Sequence, residues 1–200
     1  MRFFRATSNL LALAVTSSFA WGCQRYVPSS GASADSGTAP RLRQIQPPLS
    51  NIEQCNNGWD DNENGLIDEG CGVNQAQIQV LVAWDDDEVD LDLLVSDPKG
   101  EIATASAPTA SGLAVLRDCP SDDDCGDQPY ELVYLEEEEY LAGRYRVRVL
   151  ARELSKLGRP VVARLGVRTP QYTRSYRIEF FNDSQFIDLD FVVAAATQNE

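Results

Sequence analysis

The chain of 200 residues contains no histidine. That absence removes Ser-His-Asp triads, Cys-His pairs, His-ligated zinc and imidazole general bases together. Paired-carboxylate and metal-only chemistry stay open. Bases are scarce where acids are dense: residues 51–139 hold 24 Asp or Glu against only Lys99 and Arg117, and the whole chain carries a formal charge of −14. Residues 140–200 reverse the balance, with ten bases against six acids. A chain this acidic will not bind nucleic acid by neutralising phosphates. It also has no apolar run long enough to span a bilayer. Helical periodicity is scarce, with two turns over 151–157 the one candidate, and no long internal repeat is present.

What is there begins with a targeting segment. Arg2 and Arg5 precede an apolar stretch at 10–20, of the length of a signal-peptide h-region. Gly22 then supplies a small residue before Cys23. The segment Ala20-Trp21-Gly22-Cys23 resembles the lipobox of bacterial lipoproteins, although that family prefers Leu where Ala20 stands and Trp21 is bulky. The resemblance implies cleavage after residue 22, lipid on Cys23, and residence in the cell envelope, on the periplasmic or surface face of the outer membrane. An ordinary secreted protein is the alternative. Residues 23–50, rich in Ser, Ala, Gly and Pro without hydrophobic periodicity, read as a flexible tether.

The chain has five cysteines. If Cys23 carries lipid, Cys55, Cys71, Cys119 and Cys125 remain, an even number expected to form disulfides after export. Three connectivities are open, and local pairing is the expectation.

Residues 51–72 contain the most distinctive run, Cys55-Asn56-Asn57-Gly58-Trp59-Asp60-Asp61-Asn62-Glu63-Asn64-Gly65-Leu66-Ile67-Asp68-Glu69-Gly70-Cys71. Calcium takes six to eight oxygens, and a 12-residue EF-type loop supplies them from positions 1, 3, 5, 7 and 9, with Gly at 6 for the turn. Asp60 at position 1 places Asn62 at 3, Asn64 at 5, Gly65 at 6, the Leu66 carbonyl at 7 and Asp68 at 9. Ile67 at 8 is the apolar residue that pins the loop to its support. Position 12, a bidentate Glu in EF-hands, is Cys71 here. Glu69, Asp61 or water would have to replace it. With no flanking helices, this is a loop of EF-hand chemistry rather than an EF-hand domain. Copper fits poorly, because the donors are hard oxygens. The alternative is a stapled, turn-rich linker without metal.

The same segment resembles a metal-binding motif of exported proteins from myxobacteria and their relatives, C-x-[DN]-G-x-D-[DN]-[DN]-x-[DN]-G-x-[IV]-D-E-G-C, and is similar to thrombospondin type 3 repeats. The resemblance implies Ca²⁺ held by Asp60, Asn62, Asn64 and Asp68, with Cys55 and Cys71 bridged. Closing such a loop contributes about 3 kcal/mol by chain entropy. The modest donor charge implies a dissociation constant of about 10⁻⁴–10⁻³ M.

Residues 75–195 read as an all-β domain, an antiparallel sandwich or jelly roll. The expected strands are 77–83, 89–96, 101–105, 113–117, 131–135, 144–150, 161–167, 175–181 and 186–193. Val89, Leu91 and Leu93 alternate with Asp90 and Asp92. Tyr145, Val147 and Val149 alternate with Arg144, Arg146 and Arg148. In 186–193 the alternation reads as lost after Asp190. The run Trp84-Asp85-Asp86-Asp87-Glu88-Val89-Asp90-Leu91-Asp92-Leu93 with Asp97-Pro98-Lys99-Gly100 resembles the YfaP-like bacterial surface β-sandwiches, related to prepeptidase C-terminal domains. Ala142-Gly143-Arg144-Tyr145-Arg146-Val147 echoes a later part of that signature, and Gln128-Pro129-Tyr130-Glu131 does so more loosely. The resemblance covers roughly residues 75–150 and implies a binding or stabilising role without catalysis.

Three further expectations follow. Asp90 and Asp92 could meet Asp122 and Asp124 as a second metal site, or pair with Arg144, Arg146 and Arg148. A carbohydrate-binding module could use Trp84, Tyr130, Tyr134 or Tyr172 as a stacking platform, as one form of a protein or glycan ligand. A glycoside hydrolase would need two carboxylates in a cleft that some 118 residues leave little room for.

Overall fold

The computed structural model describes residues 30–31, 38–120, 125, 129–135, 139–154 and 158–196. The signal-like segment, Cys23, Asp122 and Asp124 lie outside them. Among the described residues there are ten strands: β1 (Ser30–Gly31), β2 (Arg41–Ile45), β3 (Ile78–Trp84), β4 (Asp90–Ser96), β5 (Leu113–Arg117), β6 (Tyr130–Leu135), β7 (Gly143–Glu153), β8 (Val161–Arg168), β9 (Thr173–Phe180) and β10 (Phe186–Val193). No helix occurs among the described residues, and every strand pair is antiparallel.

The strands form two sheets, ordered β1-β10-β7-β4 and β2-β9-β8-β3-β6-β5. Their inner faces share one apolar core, with Val80, Val82 and Trp84 of β3 and Leu165 and Val167 of β8 meeting Leu91 and Val95 of β4, Tyr145 and Val147 of β7, and Leu189 and Phe191 of β10. Alternation alone delivers this, because residues two apart share a face. Tyr145 and Phe191, paired in register, stack at 5.1 Å between ring centroids. The expected Asp-Pro-x-Gly turn is present after β4. Asp97 Oδ1 accepts from Lys99 N at 2.8 Å and Glu101 N at 2.9 Å, while Gly100 takes the left-handed φ of +86° that the turn requires.

Several expectations are corrected. Residues 41–45 are not tether: β2 pairs with β9 at the edge of the six-stranded sheet, and Leu42 packs against the core. Residues 151–153 continue β7 instead of turning into helix, because buried Ala151 pairs with Leu91 across the sheet. Residues 155–157 lie outside the description. Residues 101–105 make only isolated bridges, Ser96 with Ile102 and Thr104 with Ala107. In β10 alternation persists to the end: Ile187, Leu189, Phe191 and Val193 are all buried. Outward-facing Val192, 57% exposed, had masked the period.

β3 is buried at all seven positions. Its second face is covered by the loop at 51–72, which lies flat on the outside of the six-stranded sheet. Ile67, Val73 and Ala76 join Leu81, Ala83, Tyr130, Leu132 and Tyr134 in a second apolar cluster there. Gly166 of β8 allows this approach, since a Cβ at that position would collide with Gly58 O and come within 2.8 Å of Ile67 Cδ1. The loop is therefore part of the sandwich's packing rather than a separate unit before it.

Candidate functional site

Both expected disulfides are present, Cys55–Cys71 and Cys119–Cys125. Inside the first, the aligned side chains fold back on the backbone. Asp60 accepts from Asn64 N at 3.1 Å and Gly65 N at 2.8 Å. Asn62 Oδ1 accepts from Asn64 N at 3.0 Å, and Asn64 Oδ1 from Leu66 N at 2.8 Å. These successive side-chain turns draw the loop tight around Gly65, whose φ is +89°. Gly65 O is in turn held by Arg168 Nε at 2.9 Å and Thr173 Oγ1 at 2.7 Å, which ties the loop's tip to β8 and β9.

The predicted ligands divide into two groups. Asp60, Asn62, Asn64 and Glu69 stay together: the amides of Asn62 and Asn64 both donate to Glu69 Oε1 at 2.5 Å. Glu69 Oε2 is buried with no hydrogen-bond partner among the described residues. Burial raises the Asp60 carboxyl above its ordinary range, opposed by the Gly65 and Asn64 amides, and the Glu69 charge adds to the rise. Asp68 belongs to the second group. Fully buried, it accepts from Asn57 N at 3.2 Å and Gly58 N at 3.1 Å, so it closes the turn that begins the loop. Burial lifts it to about 6 against those bonds, with Asp61 contributing.

Sequence spacing gave no hint of Glu53. Its two oxygens accept from Asp61 N at 3.2 Å and Asp68 N at 3.0 Å, and burial, with Glu69 and Asp61 nearby, pushes its carboxyl up to about 7. Asp61, 1% exposed, accepts from Asn57 Nδ2 at 2.7 Å and Gln54 N at 3.1 Å. Glu53 lies before the first cysteine, outside the repeating Asx spacing, which is why the spacing does not announce it.

A hard divalent cation fits the first group. Asp60 and Glu69 would supply charge and Asn62, Asn64 and the Leu66 carbonyl neutral oxygens, and Glu69 Oε2 has no hydrogen-bond partner among the described residues. Among the described residues no set of three or more His, Cys, Asp or Glu side chains is gathered at metal-binding spacing, so amide and carbonyl oxygens would have to complete any such shell.

The proposed second metal site is only partly described. Asp92 pairs with Arg152, while burial and the Asp92 charge raise the Asp90 carboxyl against the attraction of that arginine. Asp122 and Asp124 lie outside the described residues. Arg144 and Arg146 pair with Asp190, and Arg148 with Asp188 at 2.6 Å, not with Asp90 or Asp92, because β10 presents its aspartates in direct register with the arginines of β7. Trp84 is no stacking platform: it points into the core, fully buried, with Nε1 donating to Val89 O at 3.0 Å. Tyr130 and Tyr134 are buried in the cluster beneath the loop, and Tyr172 lies under the Arg174 guanidinium at 4.2 Å. No family model matches the chain, and no curated protein or solved structure matches it either.

Proposed function

We propose that this is a cell-envelope lipoprotein, anchored through Cys23, that binds Ca²⁺ in the loop closed by Cys55 and Cys71 and uses its β-sandwich to bind a protein or glycan without catalysis. The observation that carries the calcium reading is Glu69 Oε2, a buried carboxylate oxygen beside Asp60, Asn62 and Asn64 with no hydrogen-bond partner among the described residues. A buried polar atom left unpaired costs about 1–3 kcal/mol, and a cation would remove that cost. Glu69 then takes over the carboxylate role that Cys71 cannot fill, and Asp68 serves the fold of the loop.

The packing supports a structural use of the ion. The loop is clamped on the sheet by Ile67, Arg168 and Thr173, so calcium would stiffen a surface already formed rather than open one. The lack of histidine in the sequence supports binding over imidazole-based catalysis. Isothermal calcium titration of the full chain tests the reading. Asp60→Ala and Glu69→Gln should each lose most of the binding heat, and equal heats in wild type and both variants would overturn it. Incorporation of labelled lipid into the wild type but not into Cys23→Ala tests the anchor.

A further inference from the structure

The acidic loop has a basic neighbour. Beside it, on the outer face of the six-stranded sheet, is a hollow of about 700 Å³ walled by Gln54, Asn57, Trp59, Arg159, Arg164 and Arg177. Arg164 and Arg177 belong to a row set by strand register. Arg43 of β2 stands opposite Arg177 of β9, and Arg177 opposite Arg164 of β8. Three arginines thus form one cross-strand row, an arrangement that like-charge repulsion disfavours. Arg41 and Arg159 flank it. Among the described residues, Glu179 and Asp85 form ion pairs with four of these five arginines. Glu179 is shared by Arg41 at 3.4 Å, Arg43 at 3.7 Å and Arg177 at 3.3 Å. Asp85 pairs with Arg164 at 2.7 Å. In a chain of formal charge −14 this is a local reversal of sign.

The Arg164–Asp85 pair is lopsided. The Arg164 side chain is 16% exposed and held by its Nε bond to Asn57 O at 3.1 Å, whereas the Asp85 side chain is 74% exposed. The arginine is fixed and its counter-ion hangs in solvent, so an incoming carboxylate can take the place of Asp85 at little cost. A guanidinium fork suits a planar carboxylate bidentately. Trp59 is fixed beside it, its indole N–H donating to Tyr176 O at 3.4 Å, and it offers a flat apolar wall. The amides of Gln54 and Asn57 offer donors and acceptors for hydroxyls. The volume lies within the range of small-ligand sites and accommodates a few sugar rings.

We infer that this hollow binds an acidic saccharide, a uronic-acid type of ring whose carboxylate displaces Asp85 from Arg164. The inference rests on the reading of the sandwich as a binding module and specifies its ligand; it does not depend on calcium.

Titration of the full chain with trigalacturonate, followed by calorimetry, tests it, with the methyl-esterified trisaccharide and inorganic phosphate as comparison arms. Arg164→Gln also removes a brace of the loop, so Arg177→Gln and Arg159→Gln are the informative losses, each expected to weaken binding about 10-fold or more. Asp85→Asn removes the competing carboxylate and should tighten binding several-fold. The opposite signs separate displacement from general loss of structure. The esterified trisaccharide should bind at least about 10-fold more weakly than the acid. Equal binding of acid and ester would overturn the inference while leaving a glycan-binding module standing. Silence with both saccharides would overturn it together with the glycan reading. Phosphate competing as well as the saccharide would reduce the hollow to a simple anion site and overturn it too. Weaker binding in Asp85→Asn would refute the displacement.

Discussion

Gly166→Ala adds one methyl group where the loop lies on β8. Its Cβ would strike Gly58 O and approach Ile67 Cδ1 to 2.8 Å. Neither neighbour yields cheaply, since one is backbone and the other belongs to a side chain with no exposed surface. Over-packing of this kind costs about 1–3 kcal/mol. For a domain of this size about 2 kcal/mol lowers Tm by about 4–8 °C. Ile67→Ala, which removes the anchor itself, should cost about 2–5 kcal/mol. The two substitutions should couple. Without Cδ1 in the way, the added methyl meets one obstacle instead of two, and the double variant should be more stable than the sum of the singles predicts by about 0.5 kcal/mol or more. Urea unfolding of the oxidised chain, with hydrogen exchange at the Ile67 and Gly58 amides, measures both. Gly166→Ala within about 0.5 kcal/mol of wild type, with loop amides equally protected, would refute the claim that loop and sheet are one packed unit.

Other perturbations follow from the same packing. Glu131, 4% exposed, accepts from Leu93 N at 2.5 Å on the open edge of β4, so Glu131→Leu should cost about 1–3 kcal/mol and Glu131→Gln clearly less in urea unfolding. Burial pushes the Glu131 carboxyl up from 4.5 to about 9. The folded chain therefore keeps a proton that the unfolded chain releases. That stability is full below pH 4.5 and is lost as pH rises through about 9, a slope that Glu131→Gln should abolish in unfolding series across pH. Replacing Cys55 and Cys71 by Ser should cost about 3 kcal/mol, and Cys119 and Cys125 about 2, because the spans are 16 and 6 residues. Asp188→Asn should cost about 1 kcal/mol or less, because its partner Arg148 is 42% exposed, and the loss should shrink further in high salt.

Most of the sandwich was legible because alternation is a local signal. The buried set Val89, Leu91 and Leu93 follows from period 2 alone. β2 was not legible. Arg41-Leu42-Arg43-Gln44-Ile45 has two apolar positions three apart, and it becomes a strand only because β9 offers it an edge. The same limit applies to the loop. Asp60, Asn62 and Asn64 could be placed by spacing, since each bonds to backbone a few residues on. What holds the loop down could not. Gly166, Arg168 and Thr173 lie about a hundred residues later, and neither an interior glycine nor two polar residues in a strand names its partner. The all-buried β3 was the available signal: Gln79, Leu81 and Ala83 have no reason to be covered unless something covers the second face.

The two sheets use their arginines in opposite ways, and the difference is one of register. On β7, Arg146 and Arg148 stand directly opposite Asp190 and Asp188 of β10, and the alternating strand becomes a neutralised outer wall. On β2, β9 and β8, Arg43, Arg177 and Arg164 stand opposite one another, and similar alternation yields a positive floor. A shift of two residues in the pairing of β9 with β8 would keep every side chain on its face. It would also set Glu179 opposite Arg164 and dissolve the row. The observed pairing instead places Glu179 opposite Val162. Repulsion along that row is a cost the fold carries, offset by the burial of Tyr176, Ile178 and Phe180 on the inner face. The charge imbalance between the two halves of the sequence is therefore not a property of its surface as a whole. It is cancelled on one sheet and left concentrated, beside a loop rich in carboxylates, on the other.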